Sequence, residues 1–254
     1  MLTHIRSETD LDTGLDALGK AEPRFAALVA EAGRPPLRRR PGGYAGLAAI
    51  VVSQQLSTAS AGAIYNRLAA AFDPVEPEAI IKARADKLAR IGLSRPKIKA
   101  LKEIARAVAS GKLALTTLAD IPADEAHAAL TATHGIGPWT ADIYLLACLG
   151  HADAWPAGDL ALQEAARLAF DLCARPDTKQ TITLAEPWRP WRAIAARVLW
   201  TYYRFVKGRE GAPVVPRKET KPPPKTKLKS ARQKSSKQKS AKPKTAKQRG
   251  ADGR

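Results

Sequence analysis

The sequence predicts an all-α fold. Alanine and leucine dominate up to about residue 206, runs of β-branched residues are rare, and Gly and Pro fall between segments whose apolar residues recur at helical spacing. No segment requires a strand. Helices are expected over Leu11–Leu18, Pro23–Ala32, Tyr44–Ser53 and Ser57–Phe72, the last with Ser57 where an N-cap belongs. Pro77–Lys82 and Ala85–Ile91 follow, then Pro96–Ala109, with Ser94 placed as its N-cap and Gly111 as the glycine that ends it. Beyond Ala123–Ala132, the helix Pro138–Leu149 opens on a proline that suits a first helical position. Leu160–Leu172, a weaker helix near Thr178 and Trp188–Val206 complete the set.

At 254 residues the chain is long enough for a sizeable core, and one helical unit is expected over residues 1–211. Its lobes would span about 44–118 and 119–206, together with the N-terminal helices. Residues 212–254 read differently. Of the net charge of +18, +13 lies between Arg217 and Arg254, where 15 Lys/Arg face only Glu219 and Asp252. With no aromatic residue after Phe205 and almost no large aliphatic one, this Lys-rich tail cannot bury enough apolar area to offset the entropy of ordering, so disorder is expected. Its charge suits phosphates, with strong salt dependence, but also acidic proteins or simple solubility.

Cys148 and Cys173 are the only cysteines, both in apolar helical contexts, which excludes a disulfide framework and a thiolate metal cluster and leaves core packing as their role. The N-terminus lacks a signal peptide's apolar stretch, and no run of about 18 apolar residues occurs. A cytoplasmic monomer with no membrane partner and no required cofactor is expected.

The segment from Leu130 to Ala141, LTATHGIGPWTA, joins two expected helices through Gly135-Ile136-Gly137. The glycines permit a tight turn with positive φ, turn Ile136 inward and leave backbone N–H groups unshielded at the start of the next helix, where a phosphate can bind. A bare Gly-x-Gly more often marks an ordinary helix-turn-helix corner. Here the context is richer. The run from His134 to Asp142, followed by Trp155-Pro-Ala-Gly-Asp-Leu160, resembles the helix-hairpin-helix (HhH-GPD) DNA glycosylases, in particular the 3-methyladenine DNA glycosylase II branch. Ser53-Gln-Gln-Leu-Ser57, Gly92-Leu-Ser with Lys97 and Lys99, and Pro190-Trp-Arg192 with Trp200 extend the resemblance over about Tyr44 to Phe205.

The resemblance implies a two-lobed helical glycosylase that excises alkylated purines, chiefly 3-methyladenine and also 7-methylguanine, from double-stranded DNA in base-excision repair. It assigns catalysis to Asp159. A carboxylate fits that chemistry: cleaving an N-glycosidic bond leaves an oxocarbenium-like sugar, which needs a fixed negative charge near C1′ and a positioned water. Asp159 also precedes Leu160-Ala-Leu-Gln-Glu as a good N-cap, and capping and catalysis are compatible because the helix N-terminus holds the carboxylate rigidly and ionised. Asp142 and Asp153 do not match the family position. Bifunctional members carry a Schiff-base lysine just after the hairpin; Trp139 stands there, so hydrolysis without lyase activity is expected.

By the same resemblance Trp139 and Trp200 are base-pocket aromatics, on whose faces an electron-deficient base stacks. Trp191, Ile194, Ala195, Val198 and Tyr202 form one stripe of the last helix, and Trp200 points away from it, beside Ala193, Ala196 and Arg197. A helix buried on two sides is the competing explanation. Tyr144 lies one residue beyond the aromatic position of the inducible bacterial enzyme and is carried as a pocket candidate; Trp188 and Trp191 read as core. Flipping a base out of the duplex leaves a hole, and Gln54, Gln55 and Leu56 lie where an amide or aliphatic tip could fill it, with Gln55 favoured and Leu56 beside it. Gly135, Ile136, Gly137 and Thr140 are the remaining DNA-binding candidates, and Arg95, Lys97, Lys99 and Lys102 could reach phosphate. The family's hairpin often holds a monovalent cation; by position, the main-chain carbonyls of Thr131, Thr133 and Ile136 would ligate Na+ or K+. The alternatives are a non-catalytic helix-hairpin-helix DNA-binding protein and a glycosylase for another damaged base.

Overall fold

The computed structural model describes residues 3–208, all within the first of two units into which the chain divides at Arg217 and Lys218. The Lys-rich tail expected at 212–254 lies outside the described residues. Those residues form twelve α-helices: α1 Glu8–Ala21, α2 Pro23–Ala32, α3 Gly43–Ser53, α4 Thr58–Ala71, α5 Pro77–Lys82, α6 Ala85–Ile91, α7 Arg95–Ala109, α8 Ala123–Thr131, α9 Pro138–Ile143, α10 Leu160–Ala169, α11 Thr178–Ala185 and α12 Arg192–Lys207. The sole β feature among them is a bridge between His4 and His151.

The helices sort into two lobes. In one, α5 and α6 pack on α7, α4 packs on α3 and α6, and α3 packs on α7. In the other, α1, α2 and α10 surround α12, with α11 beside α10. The hairpin helices α8 and α9 lie against each other, and α9 packs on α3, so they side with the first lobe. By these contacts the chain enters the second lobe through α1 and α2, leaves it for α3 to α9, and returns with α10. The cause lies in α3. GYAGLAAIVVS is apolar on every side, and such a helix is stable only when covered all round; Leu47, Ile50, Val51 and Val52 are fully buried.

Helix α12 is likewise covered along its first half, with Arg192 through Leu199 buried. Ile194, Ala195 and Val198 of the expected stripe lie in the core, but Ala193, Ala196 and Arg197 on the opposite face are covered too. The helix is buried on two sides over this half. Arg197 is held by carbonyls, donating to Leu37 O at 2.6 Å and Leu146 O at 3.2 Å. Trp188 packs at 4.9 Å edge-on to Phe25 and at 5.4 Å stacked on Phe170, as a core residue should.

Several expected helices end or begin elsewhere: α1 extends three residues beyond Leu11–Leu18 at each end, and α3, α4, α7 and α8 shift by one. The last starts at Arg192, because Trp188 closes a short 3-10 turn, Glu186–Trp188, and Pro190 has no N–H to continue a ladder. The hairpin's second helix widens after Ile143 into a π-helical turn, Tyr144–Leu149, closed by Gly150 in the left-handed region. Helix α10 stops at Ala169, ahead of Asp171 at φ 51°. Ser57 caps α4 by accepting from Ser60 N at 3.2 Å, whereas Ser94 occupies its N-cap position without a side-chain hydrogen bond. Cys148 is buried as expected, but Cys173 is exposed just beyond α10 and packs in no core.

Candidate active site

Asp159 sits where a loop becomes a helix. Trp155, Pro156 and Ala157 are buried, and the chain turns so that Asp159 N donates to Pro156 O at 2.9 Å; Gln163, one turn into α10, braces the loop by donating to Ala157 O at 2.8 Å. Asp159 has extended backbone angles, φ −77° and ψ 117°, as an N-cap does. Its Oδ1 accepts Leu162 N at 2.9 Å. Two indoles also converge on it: Trp139 Nε1 donates to Oδ2 at 2.9 Å and Trp200 Nε1 to Oδ1 at 3.2 Å. The carboxylate is 7% exposed, and all three donors are neutral, so its charge is held but not cancelled. Trp139 belongs to α9 in one lobe, Trp200 and Asp159 to α12 and α10 in the other. The sequence brought these three residues to one site, though by ring stacking; it did not reveal the indole hydrogen bonds, which depend on lobe packing.

Tyr144 requires a correction. It begins the π-helical turn and is 0% exposed, a core residue with its phenol pushed up by burial, not an accessible pocket wall. Thr140 is corrected as well. It is buried at 1% exposure, and its hydroxyl accepts Gln54 Nε2 at 2.7 Å, so it holds a neighbouring loop instead of facing DNA.

That loop runs from the end of α3 to the start of α4. Gln54 is tied to Thr140, while Gln55 is exposed with φ 57°, a left-handed backbone that non-glycine residues rarely adopt. Leu56 is half-buried. The loop's underside is supported by Lys97, whose Nζ donates to Val52 O at 2.7 Å and Gln54 O at 2.8 Å. Lys102 donates to Ile81 O and Ala83 O, at 3.1 and 2.5 Å. These two lysines therefore satisfy helix-end carbonyls and are corrected as phosphate contacts; Arg95 and Lys99 remain exposed.

In the hairpin, Gly135 alone takes a positive φ, 97°, and a Cβ there would lie 3.0 Å from the Ala100 Cα, so glycine is what lets the turn press against α7. Ile136 is 4% exposed and Gly137, the N-cap of α9, is exposed with open space where a side chain would stand. Thr133 O accepts Ile136 N at 3.1 Å and keeps a second lone pair. The main-chain carbonyls of Thr131, Thr133 and Ile136 would supply a cation with oxygen donors only, the donor type that Na+ and K+ take.

The two other aspartates nearby do different work. Asp153 is gripped by Arg192, Nε to Oδ1 at 2.7 Å and Nη2 to Oδ2 at 2.9 Å, and by Arg189. Asp142, 3.6 Å from His127 Nε2, is pushed up to about 8, first by burial, against the opposing pull of Arg192 and with the Asp124 charge adding to the rise.

Known proteins share this arrangement of chain. The signature of the HhH-GPD superfamily base excision DNA repair proteins matches residues 48–190. The Schizosaccharomyces pombe alkylbase DNA glycosidase-like protein mag2 is 26% identical over 190 residues, 72% of this chain and 89% of that protein. The probable bifunctional transcriptional activator/DNA repair enzyme AlkA of Mycobacterium tuberculosis is 31% identical over 76% of this chain, which spans only 40% of that longer protein. Among solved structures, S. pombe 3-methyladenine DNA glycosylase Mag1 in complex with abasic DNA superposes with a TM-score of 0.68 at 28% identity, covering 77% of this chain and 97% of that one. The Bacillus halodurans DNA-3-methyladenine glycosidase gives 0.68 at 27% identity, over 78% and 92%.

Proposed function

The chain belongs to the HhH-GPD superfamily of base excision DNA repair proteins, and from that membership we propose that it is a DNA glycosylase that hydrolyses the N-glycosidic bond of alkylated purines in duplex DNA. Relatives and structural neighbours named as 3-methyladenine DNA glycosylases support 3-methyladenine as the chief substrate; 7-methylguanine shares the same positive charge and is proposed with it. The observation that carries the reading is the buried Asp159 carboxylate, fixed at the start of α10 by neutral donors. An uncompensated negative charge in a water-poor site is what an oxocarbenium-like sugar needs. In the reaction the C1′–N bond breaks with its electron pair passing to the cationic base, which leaves neutral. Water then bonds to C1′ and loses its proton to Asp159 or solvent.

A base reaches this site by flipping out of the stack, at a cost of a few kcal/mol that damage lowers. Gln55, exposed on its left-handed turn, is the residue proposed to enter the gap, with Leu56 beside it. The faces of Trp139 and Trp200 receive the base. The hairpin at Gly135, Ile136 and Gly137 holds a backbone phosphate, and a Na+ or K+ held by the Thr131, Thr133 and Ile136 carbonyls would supply it a positive charge. Trp139 stands where a Schiff-base lysine would be needed, so the proposed enzyme is a hydrolase without lyase activity, acting as a cytoplasmic monomer.

The test is base release from methylated duplex DNA by the wild type and by Asp159→Asn. Release that collapses in the variant, leaving strands that break only on heating in alkali, is the expected result. A wild type that releases no base, or a variant as active as the wild type, sinks the reading. Spontaneous strand cleavage sinks its monofunctional part.

A further inference from the structure

Aromatic residues around a base site are ordinarily assigned to stacking, but the geometry here gives Trp139 and Trp200 a second task. An indole N–H lies in the ring plane, so a tryptophan can donate from its edge while its face stays open to a base. Both residues do so toward one carboxylate, at 2.9 and 3.2 Å. An ionised carboxylate offers about four lone-pair sites. Oδ1 takes two donors, Leu162 N and Trp200 Nε1, and Oδ2 takes one, Trp139 Nε1. One lone pair on Oδ2 remains.

We propose that the indole N–H groups of Trp139 and Trp200 are positioning donors that lock the Asp159 carboxylate in one orientation and leave a single Oδ2 lone pair facing the reacting sugar and its water. The inference rests on the glycosylase reading above and specifies how that site is built. Neutral donors suit the task. A lysine or arginine in their place would orient the carboxylate equally well but would cancel the charge on which stabilisation of a sugar cation depends. The backbone donor alone cannot do it, since one hydrogen bond leaves the carboxylate able to rotate about its side-chain torsion. Trp139, with the shorter bond and sole occupancy of Oδ2, should matter more than Trp200.

The decisive variants remove the N–H and keep the ring. Tryptophan at 139 or 200 is replaced by benzothienylalanine, an isostere with sulfur in place of N–H, through codon suppression in the full chain, with Trp→Phe as a cruder companion. Single-turnover base release should fall about 10- to 100-fold for each lost donor, more at 139 than at 200, as expected for hydrogen bonds to a charged group. Affinity for a duplex carrying an abasic-site analogue should change less than about threefold, because ground-state binding is untouched. Isosteres that release base within twofold of the wild-type rate would overturn the proposal, for stacking and packing are then sufficient. In a second measurement, the indole 15N–1H resonances of Trp139 and Trp200 in the wild type should sit downfield, and at least one should move upfield in Asp159→Asn; resonances unmoved by the substitution also overturn it. This readout needs no activity, so a wild type inactive on alkylated DNA would sink the glycosylase reading while the resonances still decide the hydrogen bonds.

Discussion

Asp153 and Asp159 stand at opposite ends of one loop, and their surroundings are opposites. Asp153 faces Arg192, whose side chain is 5% exposed, through two hydrogen bonds, and Arg189 as well, with Asp124 and Glu186 completing the cluster. Asp159 faces two indoles and a backbone amide. A carboxylate paired with guanidinium groups has its charge neutralised where it stands and is fit to hold helices together. One solvated only by neutral dipoles keeps its charge for whatever cation arrives. Proximity in sequence and shared residue type would rank the two alike; the charge of the partners separates them.

Exchanging each carboxylate for its amide tests this separation most strongly. Asp159→Asn should lower base release about 100- to 1,000-fold, by loss of transition-state charge, and should destabilise by about 1–3 kcal/mol, because asparagine still caps the helix but its amide nitrogen leaves one of the three donors without an acceptor. Asp153→Asn should spare the chemistry. It removes the carboxylate nearest to the buried Arg192 guanidinium, which keeps Asp124 at 3.5 Å and Glu186 at 3.7 Å, and should destabilise by about 1–2 kcal/mol in urea or thermal unfolding, while base release by the folded fraction persists. Loss of activity without loss of stability at 153 would erase the contrast.

Next in size is Gly135→Ala. Its φ of 97° and the backbone of Ala100 3.0 Å away oppose a methyl group, so destabilisation of about 1–3 kcal/mol is expected, together with slower base release as α9 shifts and carries the Trp139 donor with it. Unchanged kinetics in a destabilised protein would separate the hairpin's packing from the carboxylate's alignment.

Asp142 supplies a third environment, largely withdrawn from water, with Arg192 pulling its value down and Asp124 pushing it up. Its folded value of about 8 lies above the ordinary 3.8. The native state therefore holds a proton that the unfolded chain has released over that interval, and stability falls as pH rises from about 4 to 8. Asp142→Asn should flatten that slope and raise the melting temperature by a few degrees near pH 8, with little change near pH 4. A slope preserved in the variant would assign the pH dependence to other groups. The smallest effect belongs to Gln55→Gly, which relieves about 1–2 kcal/mol of left-handed backbone strain against about 0.4–1 kcal/mol of added unfolded-state freedom and so should stabilise slightly, yet slow excision from paired duplexes more than from single strands. Equal slowing on both substrates would remove Gln55 from the flipping step.

Helix positions were legible because alanine-rich periodic segments, proline starts and glycine stops each act within a few residues. Pro23–Ala32, Pro77–Lys82 and Ala85–Ile91 form as read. The π-helical turn was not legible, since its spacing differs from an α-helix by one residue per turn and its sequence, YLLACL, is apolar throughout. At the site, Asp159 with Trp139 and Trp200 could be proposed from motif and helix face. The burial of Tyr144 and Thr140, and the turning of Lys97 toward the carbonyls of α3, could not, because each depends on contacts between distant segments. Lys97 left a faint trace: its ammonium lies near the end of a helix whose last turn has no basic residue of its own.

Because the Asp159 carboxylate takes one hydrogen bond from each lobe's tryptophan, it works as an alignment gauge for the whole fold. A slip of a few tenths of an ångström between the lobes would change the Trp139 contact while the Trp200 contact, made within one lobe, stayed as it is, and the reacting oxygen Oδ2 would lose its alignment. A methyl added at Gly14, where a Cβ would meet the Ile194 side chain of α12 at 2.8 Å, has a separate route to the turnover rate, through the helix that carries Trp200. Tolerance to mutation in the interlobe core should be set by catalysis before it is set by unfolding.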